Sequence, residues 1–369
     1  MQIKKIEISG FKSLKKLSLT ELGNFGILAG ANGSGKSNIF DALKFVSVCV
    51  TQGLNNALIA YGGFEYIHCF RMRKEYARTF KFFIQIEDIG NTSEYSLTIK
   101  NMDSNPYMSE HIKINNHLLC ERKDDGKVFL HQDGKNTEEI SYPQNLPIIN
   151  ITTRNPIYDL LSNIKLYRID PVAAKNSSLL GWNGACLDIN GQNIAKVLAE
   201  LKKDKDFCEK LNEFMSLVVP GLKNVSTEKQ ALEIRTVLAF KENGLKKRFP
   251  AHLISDGTIY LLCLFTAVLH PQCQKGIVLI EEPERGINPK PIEELVALLR
   301  EQASEENFIF ITTHNETVVR SAKAHELVFA YKERGITKIK WGRDYSTLIG
   351  DMPLDTAWLA NMFGSGLPW

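Results

Sequence analysis

No C-x-x-C pair occurs among the seven cysteines, Cys49, Cys69, Cys120, Cys186, Cys208, Cys263 and Cys273. An odd count without paired spacing argues against a disulfide framework and against a zinc site, and leaves small buried thiols as the expectation. No apolar run approaches the ~18 residues that a membrane span requires. The opening Met1-Gln2-Ile3-Lys4-Lys5 has no signal-peptide core, so the expected setting is the cytoplasm, with no membrane partner. Neither sign of charge dominates: 45 Lys and Arg against 42 Asp and Glu leave a formal net charge of +3, too small by itself to argue for nucleic acid. Short basic clusters at Lys4-Lys5, Lys12 to Lys16, Arg71 to Lys74 and Lys246-Lys247-Arg248 read first as solvated faces. Internal repeats, low-complexity linkers and sustained heptads are also missing, which excludes a solenoid and a long coiled-coil arm.

What is present is a chain of 369 residues with 44% hydrophobic content, enough for one large or two modest domains. Near its start, Gly30-Ala31-Asn32-Gly33-Ser34-Gly35-Lys36-Ser37 fits G-x-x-x-x-G-K-[ST] and follows the apolar run Phe25 to Ala29. A strand feeding a glycine loop and then a helix is the context that makes this pattern a phosphate site rather than a plain Gly-rich turn. The glycines let the backbone curl so that successive N–H groups point inward at a polyphosphate. Lys36 would reach the β- and γ-phosphate oxygens, and Ser37 would hold Mg²⁺ through its hydroxyl. The helix after the loop would offer its positive end to the same anion. The candidate ATP-binding stretch therefore runs from Gly30 through Asn38.

Along the rest of the chain, Ile3, Ile6 and Ile8 mark a short opening strand, and the helix after the loop should run from Ser37 to about Val50. Thr79 to Glu87 and Tyr95 to Lys100 alternate apolar and polar residues, as strands of an antiparallel sheet do. Between Asn101 and Pro147 the chain turns polar, with Asp124-Asp125-Gly126 and Gly134-Lys135-Asn136 as turn signals, so hairpins and loops are expected. Ile194, Val197, Leu198, Leu201, Leu211, Phe214 and Leu217 recur at helical spacing on either side of the charged Lys202 to Asp206 segment, a helical pair. Glu233 to Phe240 reads as a strand. Thereafter helix and strand alternate: Thr258 to Leu269, Gly276 to Ile280, a helix from Pro289, Phe308 to Thr312, a helix after Asn315, and strands at Leu327 to Tyr331 and Thr337 to Trp341.

Three further motifs belong with the phosphate loop. Ile277-Val278-Leu279-Ile280-Glu281-Glu282-Pro283-Glu284 is an apolar strand ending in acids, which puts carboxylates at the sheet edge where α/β folds bind ligands. Glu281 would act through water on the Mg²⁺ held by Ser37, and Glu282 would orient or polarise the attacking water. Phe308-Ile309-Phe310-Ile311-Thr312-Thr313-His314-Asn315 is a second buried strand leading to a polar turn. It places His314 where an imidazole could meet the γ-phosphate or the lytic water, and Asn315 where it can cap the next helix. In Leu253-Ile254-Ser255-Asp256-Gly257-Thr258, Ser255 can cap an apolar helix whose free N–H groups make another anion site.

In this order, phosphate loop, S-D-G-T, E-E-P-E and T-T-H-N, the motifs resemble the ABC-type ATPases of the RecF/SMC/OLD group. The resemblance is best to compact bacterial ATPases filed as AAA family. Ile6-Glu7-Ile8-Ser9-Gly10-Phe11-Lys12-Ser13-Leu14 looks like that group's first strand and turn, and Glu281 to Pro289 resembles its E-E-P-E-x-G-x-H-P. The resemblance implies an α/β P-loop fold with mixed sheets, an antiparallel β subdomain and a small helical insertion. It implies boundaries at 1–189 for an N-terminal ATPase lobe, 190–232 for the insertion and 233–369 for a C-terminal lobe. It also implies that Ser255, Asp256 and Gly257 form a signature turn, with Ser255 and Gly257 touching the γ-phosphate held by a second copy, so that two ATPs are sandwiched in a homodimer. Three positions depart from the family pattern. Glu281 replaces a more familiar Asp, Asn288 stands where a His is usual and reads as a helix cap before Pro289, and no Q-loop glutamine is evident beyond Gln85.

Only about 55 residues follow His314, and Asp344, Asp351 and Asp355 among them form no convincing acidic constellation for a nuclease. An ATPase core with no effector domain leads to the expectation of a dimeric or higher-order ATP-driven sensor controlling a separate effector, a nuclease or toxin of an anti-phage system. The alternative is a RecF-like ATPase of DNA repair that clamps DNA through its basic clusters. An ABC transporter subunit fits least, because the opening strand and E-E-P-E do not look like that branch. The amphipathic tail Met352 to Phe363 reads as a helix packed on the core, with docking of a partner as the other reading.

Overall fold

An apolar run without polar alternation has to be covered on both faces. The chain has several, and in its computed structural model they lie side by side at the centre of one sheet; the structure describes residues 1–71, 78–101, 105–132, 136–152, 155–176, 178–179, 186–230, 235–244, 246–287 and 289–364. In chain order the elements are β1 (Gln2–Ser9), β2 (Leu17–Leu22), β3 (Phe25–Ala29), α1 (Lys36–Gln52), α2 (Leu54–Ala60), α3 (Phe64–Ile67), β4 (Thr79–Asp88), β5 (Asn91–Lys100), β6 (Tyr107–Ile114), β7 (His117–Arg122), β8 (Val128–Gln132) and β9 (Asn136–Ile140). They continue with α4 (Pro156–Ser162), β10 (Ile164–Tyr167), α5 (Pro171–Lys175), β11 (Ser178–Leu179), α6 (Ile194–Leu201), α7 (Lys205–Val218), β12 (Leu222–Gln230), β13 (Arg235–Glu242), β14 (Phe249–Pro250) and α8 (Asp256–Leu269). Last come β15 (Gly276–Glu281), α9 (Pro289–Glu301), β16 (Asn307–Thr313), α10 (Glu316–Arg320), β17 (Leu327–Glu333), β18 (Ile336–Trp341), α11 (Ser346–Ile349) and α12 (Leu354–Leu359).

The central sheet has the order β10-β15-β16-β3-β17-β18, parallel throughout except for the β17–β18 hairpin. Its strands feed alternate side chains to two separate cores. Leu28, Ile277, Leu279, Phe308 and Phe310 join α1 and the antiparallel sheet on one side, and Ile27, Val278, Ile280, Ile309 and Ile311 join α8 and α9 on the other. The antiparallel sheet, β2-β1-β4-β5-β6-β7-β8-β9, packs its apolar face on α1, whose Ile39, Phe40, Leu43, Val46 and Val50 are all buried. A third sheet, β11-β13-β12 with β14 on β13, lies beside α6 and α7. The polar stretch expected as hairpins and loops is thus strand over most of its length, because β6 to β9 extend a sheet whose far edge faces solvent.

The mixed α/β architecture agrees with the expectation. The tail packs on the core: Trp358 and Phe363 are fully buried, the Phe363 ring stacks on Phe329 at 4.1 Å, and Arg320 pairs with Asp355. One expectation is corrected. Cys186 and Cys273 form a disulfide, their Cα atoms 6.3 Å apart and 87 residues distant in sequence. Local spacing could not reveal it, because the pair meets only when the segment near Ile189 folds back along the end of β10, where Arg168 and Asp170 donate backbone hydrogen bonds to Ile189 and Asn190. Among the other cysteines, Cys49, Cys69, Cys120 and Cys263 are buried free thiols and Cys208 is partly buried.

Candidate functional site

β3 ends against the phosphate loop, and the loop's glycines are there for space as well as for curvature. Gly33 and Gly35 have φ of +75° and +100°, and a Cβ on Gly35 would collide with Thr337 Oγ1, while one on Gly30 would collide with the Ala330 carbonyl. The loop is therefore pressed onto the β17–β18 hairpin. Thr337 Oγ1 donates to the Ser34 carbonyl at 2.9 Å and meets Ser13 Oγ at 2.6 Å, and Asn38 Nδ2 donates to Ser13 Oγ at 2.7 Å. Asn38 thus braces the loop on the turn after β1. Ser37, on the first turn of α1, is exposed, as are Asn32 and Gly33, while Ser34 is buried with its Oγ unpartnered.

Lys36 folds back over the loop, donating to the Gly30 and Ala31 carbonyls at 2.7 and 3.0 Å. Burial lowers its affinity for a proton, and the carboxylates of Glu282, Glu284 and Glu281 act in the opposite direction. The loop lysine and the acidic strand end, some 245 residues apart, therefore share one electrostatic neighbourhood.

At the end of β15 the backbone turns sharply: Glu282 has φ +48°, a left-handed conformation that costs a non-glycine residue roughly 1–2 kcal/mol. Three contacts hold it there. Its N–H donates to the Thr312 carbonyl at 3.0 Å, and the Tyr260 hydroxyl, from the buried helix α8, lies 2.9 Å from the Glu282 carbonyl and 3.2 Å from that of Glu281. The Glu282 carboxylate, half-exposed, meets His314 Nδ1 at 3.1 Å. Behind them Glu284 is buried, accepts from Thr313 Oγ1 at 2.5 Å, and leaves its second oxygen unpartnered. Burial pushes its carboxyl above the usual range, against the Thr313 hydrogen bond. Thr313 Oγ1 also accepts the Asn315 N–H, and Asn315 caps α10, so the turn that carries His314 is tied down on both sides.

Glu281 is ion-paired. Arg168 Nη2, one residue past β10, lies 2.8 Å from Glu281 Oε1 and 2.7 Å from Asp41 Oδ1, and Lys12 takes the other Asp41 oxygen at 2.5 Å. Arg168, Asp41 and Tyr260 carry none of the motif patterns. The signals for them are a charged residue directly after the short segment Ile164–Tyr167, an acid on the buried helix behind the loop, and a single phenol in the apolar helix α8. Gln85, the one candidate for a Q-loop, lies where its strand was expected, within β4 of the antiparallel sheet, opposite Lys5 and bonded to Glu94.

Ser255 caps α8 by accepting from the Thr258 N–H at 3.2 Å; Asp256 pairs with Lys175, and Gly257 packs so tightly on the Gly286 carbonyl that a Cβ would collide with it. No hydrogen bond or ion pair among the described residues joins this turn to the phosphate loop of its own chain. Asn288 lies outside the described residues.

The donor set fits a magnesium nucleotide. The glycine cradle, the unpartnered Ser34 Oγ and Lys36 suit a polyphosphate, and Ser37 with Glu281 offers the hard oxygen ligands magnesium takes. No group of three or more His, Cys, Asp or Glu among the described residues could hold a metal alone.

Residues 26–320 match the family described as "AAA domain, putative AbiEii toxin, Type IV TA system". The chain belongs to that family. Solved structures of similar fold include the Smc head bound to the C-winged helix domain of ScpA, 16% identical with a TM-score of 0.59 and covering 92% of this chain and 98% of its own. The SMC head domain from Thermotoga maritima is 18% identical, with a TM-score of 0.52 and coverage of 92% and 99%. The Smc head domain with an extended coiled coil bound to the C-terminal domain of ScpA, derived from Pyrococcus furiosus, is 15% identical, with a TM-score of 0.53 and coverage of 95% and 100%. At these identities the likeness is one of fold. In sequence, 44 residues are 57% identical to the chromosome partition protein Smc of Methanocaldococcus jannaschii, 12% of this chain and only 4% of that protein. No described helix is long and apolar enough to cross a membrane.

Proposed function

We propose that this AAA-domain protein binds and hydrolyses ATP with Mg²⁺, and that it does so as a homodimer in which each copy completes the other's site. The observation that carries the reading is the convergence of Lys36, Glu281, Glu282 and His314, from three separated motifs, at the C-terminal edge of one parallel sheet. Residues Gly30 to Asn38 wrap the triphosphate, with Lys36 exchanging its two carbonyl partners for phosphate oxygens. Ser37 and Glu281 would hold the metal, which when bound screens phosphate charge. Glu282, fixed in its left-handed turn, orients the attacking water, and His314 holds the Glu282 carboxylate on one side. Ser255 and Gly257, bonded to no part of their own loop, are assigned to the γ-phosphate of the second copy, with Asp256 closing the turn.

The proposal extends to lobes at 1–189 and 233–369 around an insertion at 190–232, to a cytoplasmic setting, and to control of a separate effector, a nuclease or toxin in anti-phage defence. The family description supports that last step only by its mention of a toxin. Phosphate release by the purified chain, compared with Glu282→Gln, tests the core of the reading: turnover in the wild type and its loss in the variant support it, and equal turnover removes Glu282 from its role.

A second reading, direct DNA binding, draws on one observation. Thr337 N–H bonds to the Ser13 carbonyl, Lys12 N–H to the Ile67 carbonyl, and Gly335 lies against the Arg71 side chain, so that the exposed Lys15, Lys16, Arg71 and Arg334 on adjoining turns join Lys338 near the start of β18. Salt-dependent duplex binding would favour it, and none at moderate salt would remove it.

A further inference from the structure

Glu281 is assigned to the metal, yet its carboxylate is already neutralised by a cation of the same chain. Arg168 spans it and Asp41 with one nitrogen, 2.8 and 2.7 Å away. A guanidinium has no lone pair to give a metal, so it cannot join the coordination sphere and cannot share Glu281 with a divalent ion without repulsion. Its surroundings suit a group that leaves. The backbone on either side is fixed, Arg168 N–H to Ile189 and Asp170 N–H to Asn190, whereas the side chain is 37% exposed and has solvent to move into. Asp41, only 10% exposed, is not stranded when Arg168 departs, because Lys12 holds its other oxygen. Two carboxylates and two cations balance in this arrangement, and the charge that a metal adds is offset by the phosphates that arrive with it.

We propose that Arg168 is a built-in counter-ion that competes with the divalent metal for Glu281, so that loading the metal and releasing Arg168 are one event. Arg168 is thus a positioning residue that keeps Glu281 and the start of α1 charge-neutral between nucleotides and sets how much metal is needed to assemble the loaded site. The inference rests on the Mg²⁺–ATP reading of the site.

The test is an equilibrium titration of Mg²⁺ into purified full-length protein with a fluorescent ATP analogue, in the wild type, Arg168→Ala and Arg168→Lys, together with melting temperatures in the absence of nucleotide. In Arg168→Ala the Mg²⁺ concentration at half-saturation should fall about two- to five-fold, the scale of a partly exposed ion pair. Melting without nucleotide should occur at lower temperature, and Arg168→Lys should lie between the two. A purely structural arginine would lower the melting temperature and leave the Mg²⁺ midpoint unchanged, and that result overturns the proposal, as does a midpoint that rises. If the alanine variant does not fold, the lysine variant carries the same two outcomes. Failure of the wild type to bind nucleotide at any Mg²⁺ concentration would overturn the site reading itself along with the inference, which separates the two failures.

Discussion

Removing the Tyr260 hydroxyl tests whether the turn at Glu282 is held from α8. Tyr260 is 1% exposed, and burial pushes its phenol far above the usual range, so it stays a donor at every working pH. Its hydroxyl faces two carbonyls, at 2.9 and 3.2 Å, and Glu282 has φ +48° between them and its side-chain contact with His314. One such hydrogen bond is worth about 1 kcal/mol net, and leaving a buried carbonyl short of a donor raises the loss to roughly 1–3 kcal/mol. The left-handed conformation itself costs roughly 1–2 kcal/mol. The two quantities are of equal size, so Tyr260→Phe, by removing the offset, should leave the strained turn a minor population beside relaxed alternatives. A loss near 1.4 kcal/mol corresponds to about ten-fold. Turnover in a phosphate-release assay should therefore fall about ten-fold, while the dissociation constant of ATP, set by the loop and Lys36, stays within about two-fold. Melting should drop by roughly 2–4 °C. A variant that melts early but turns over at the wild-type rate would refute the reasoning and leave Tyr260 a packing residue.

Other substitutions separate binding, assembly and stability. Lys36→Ala removes the cation folded over the loop and should abolish detectable nucleotide binding in a fluorescence titration without lowering the melting temperature, since among the described residues the lysine's hydrogen bonds go to carbonyls of its own loop. Ser255→Arg should leave nucleotide binding by a single copy intact and reduce turnover to background, read by comparing a binding titration with phosphate release. Glu284 is raised by burial in the folded state, so the folded protein holds its proton more tightly than the unfolded chain, and its contribution to stability declines as pH rises through that raised value. Glu284→Gln should therefore gain in melting temperature relative to the wild type between pH 5 and pH 8.

How much was legible follows from how local each signal is. The phosphate loop, the acid-ended strand and the T-T-H-N turn each announce themselves within eight residues, because their chemistry depends on neighbouring side chains, and the structure brings all of them to one sheet edge. The strand β10 is four residues long, Ile164–Tyr167, too short for a period to emerge, and Arg168 went unseen with it. β12 was missed because Lys223, Ser226, Thr227, Glu228 and Lys229 give it no apolar face strong enough to read. The Cys186–Cys273 bridge is a product of tertiary topology, which no spacing rule carries. Tyr260 was hidden by its neighbours: α8 is buried from Thr258 to Leu269, and a single phenol in such a helix reads as core until its hydroxyl is found on the backbone of another motif.

The claim on which the rest depends is that two copies close over shared nucleotide. Light scattering on Glu282→Gln, with and without ATP and Mg²⁺, addresses it most directly. Nucleotide should convert monomer to dimer, and adding Ser255→Arg to the same chain should prevent the conversion. A protein that stays monomeric at saturating ATP, or a dimer indifferent to both nucleotide and Ser255, would contradict the account.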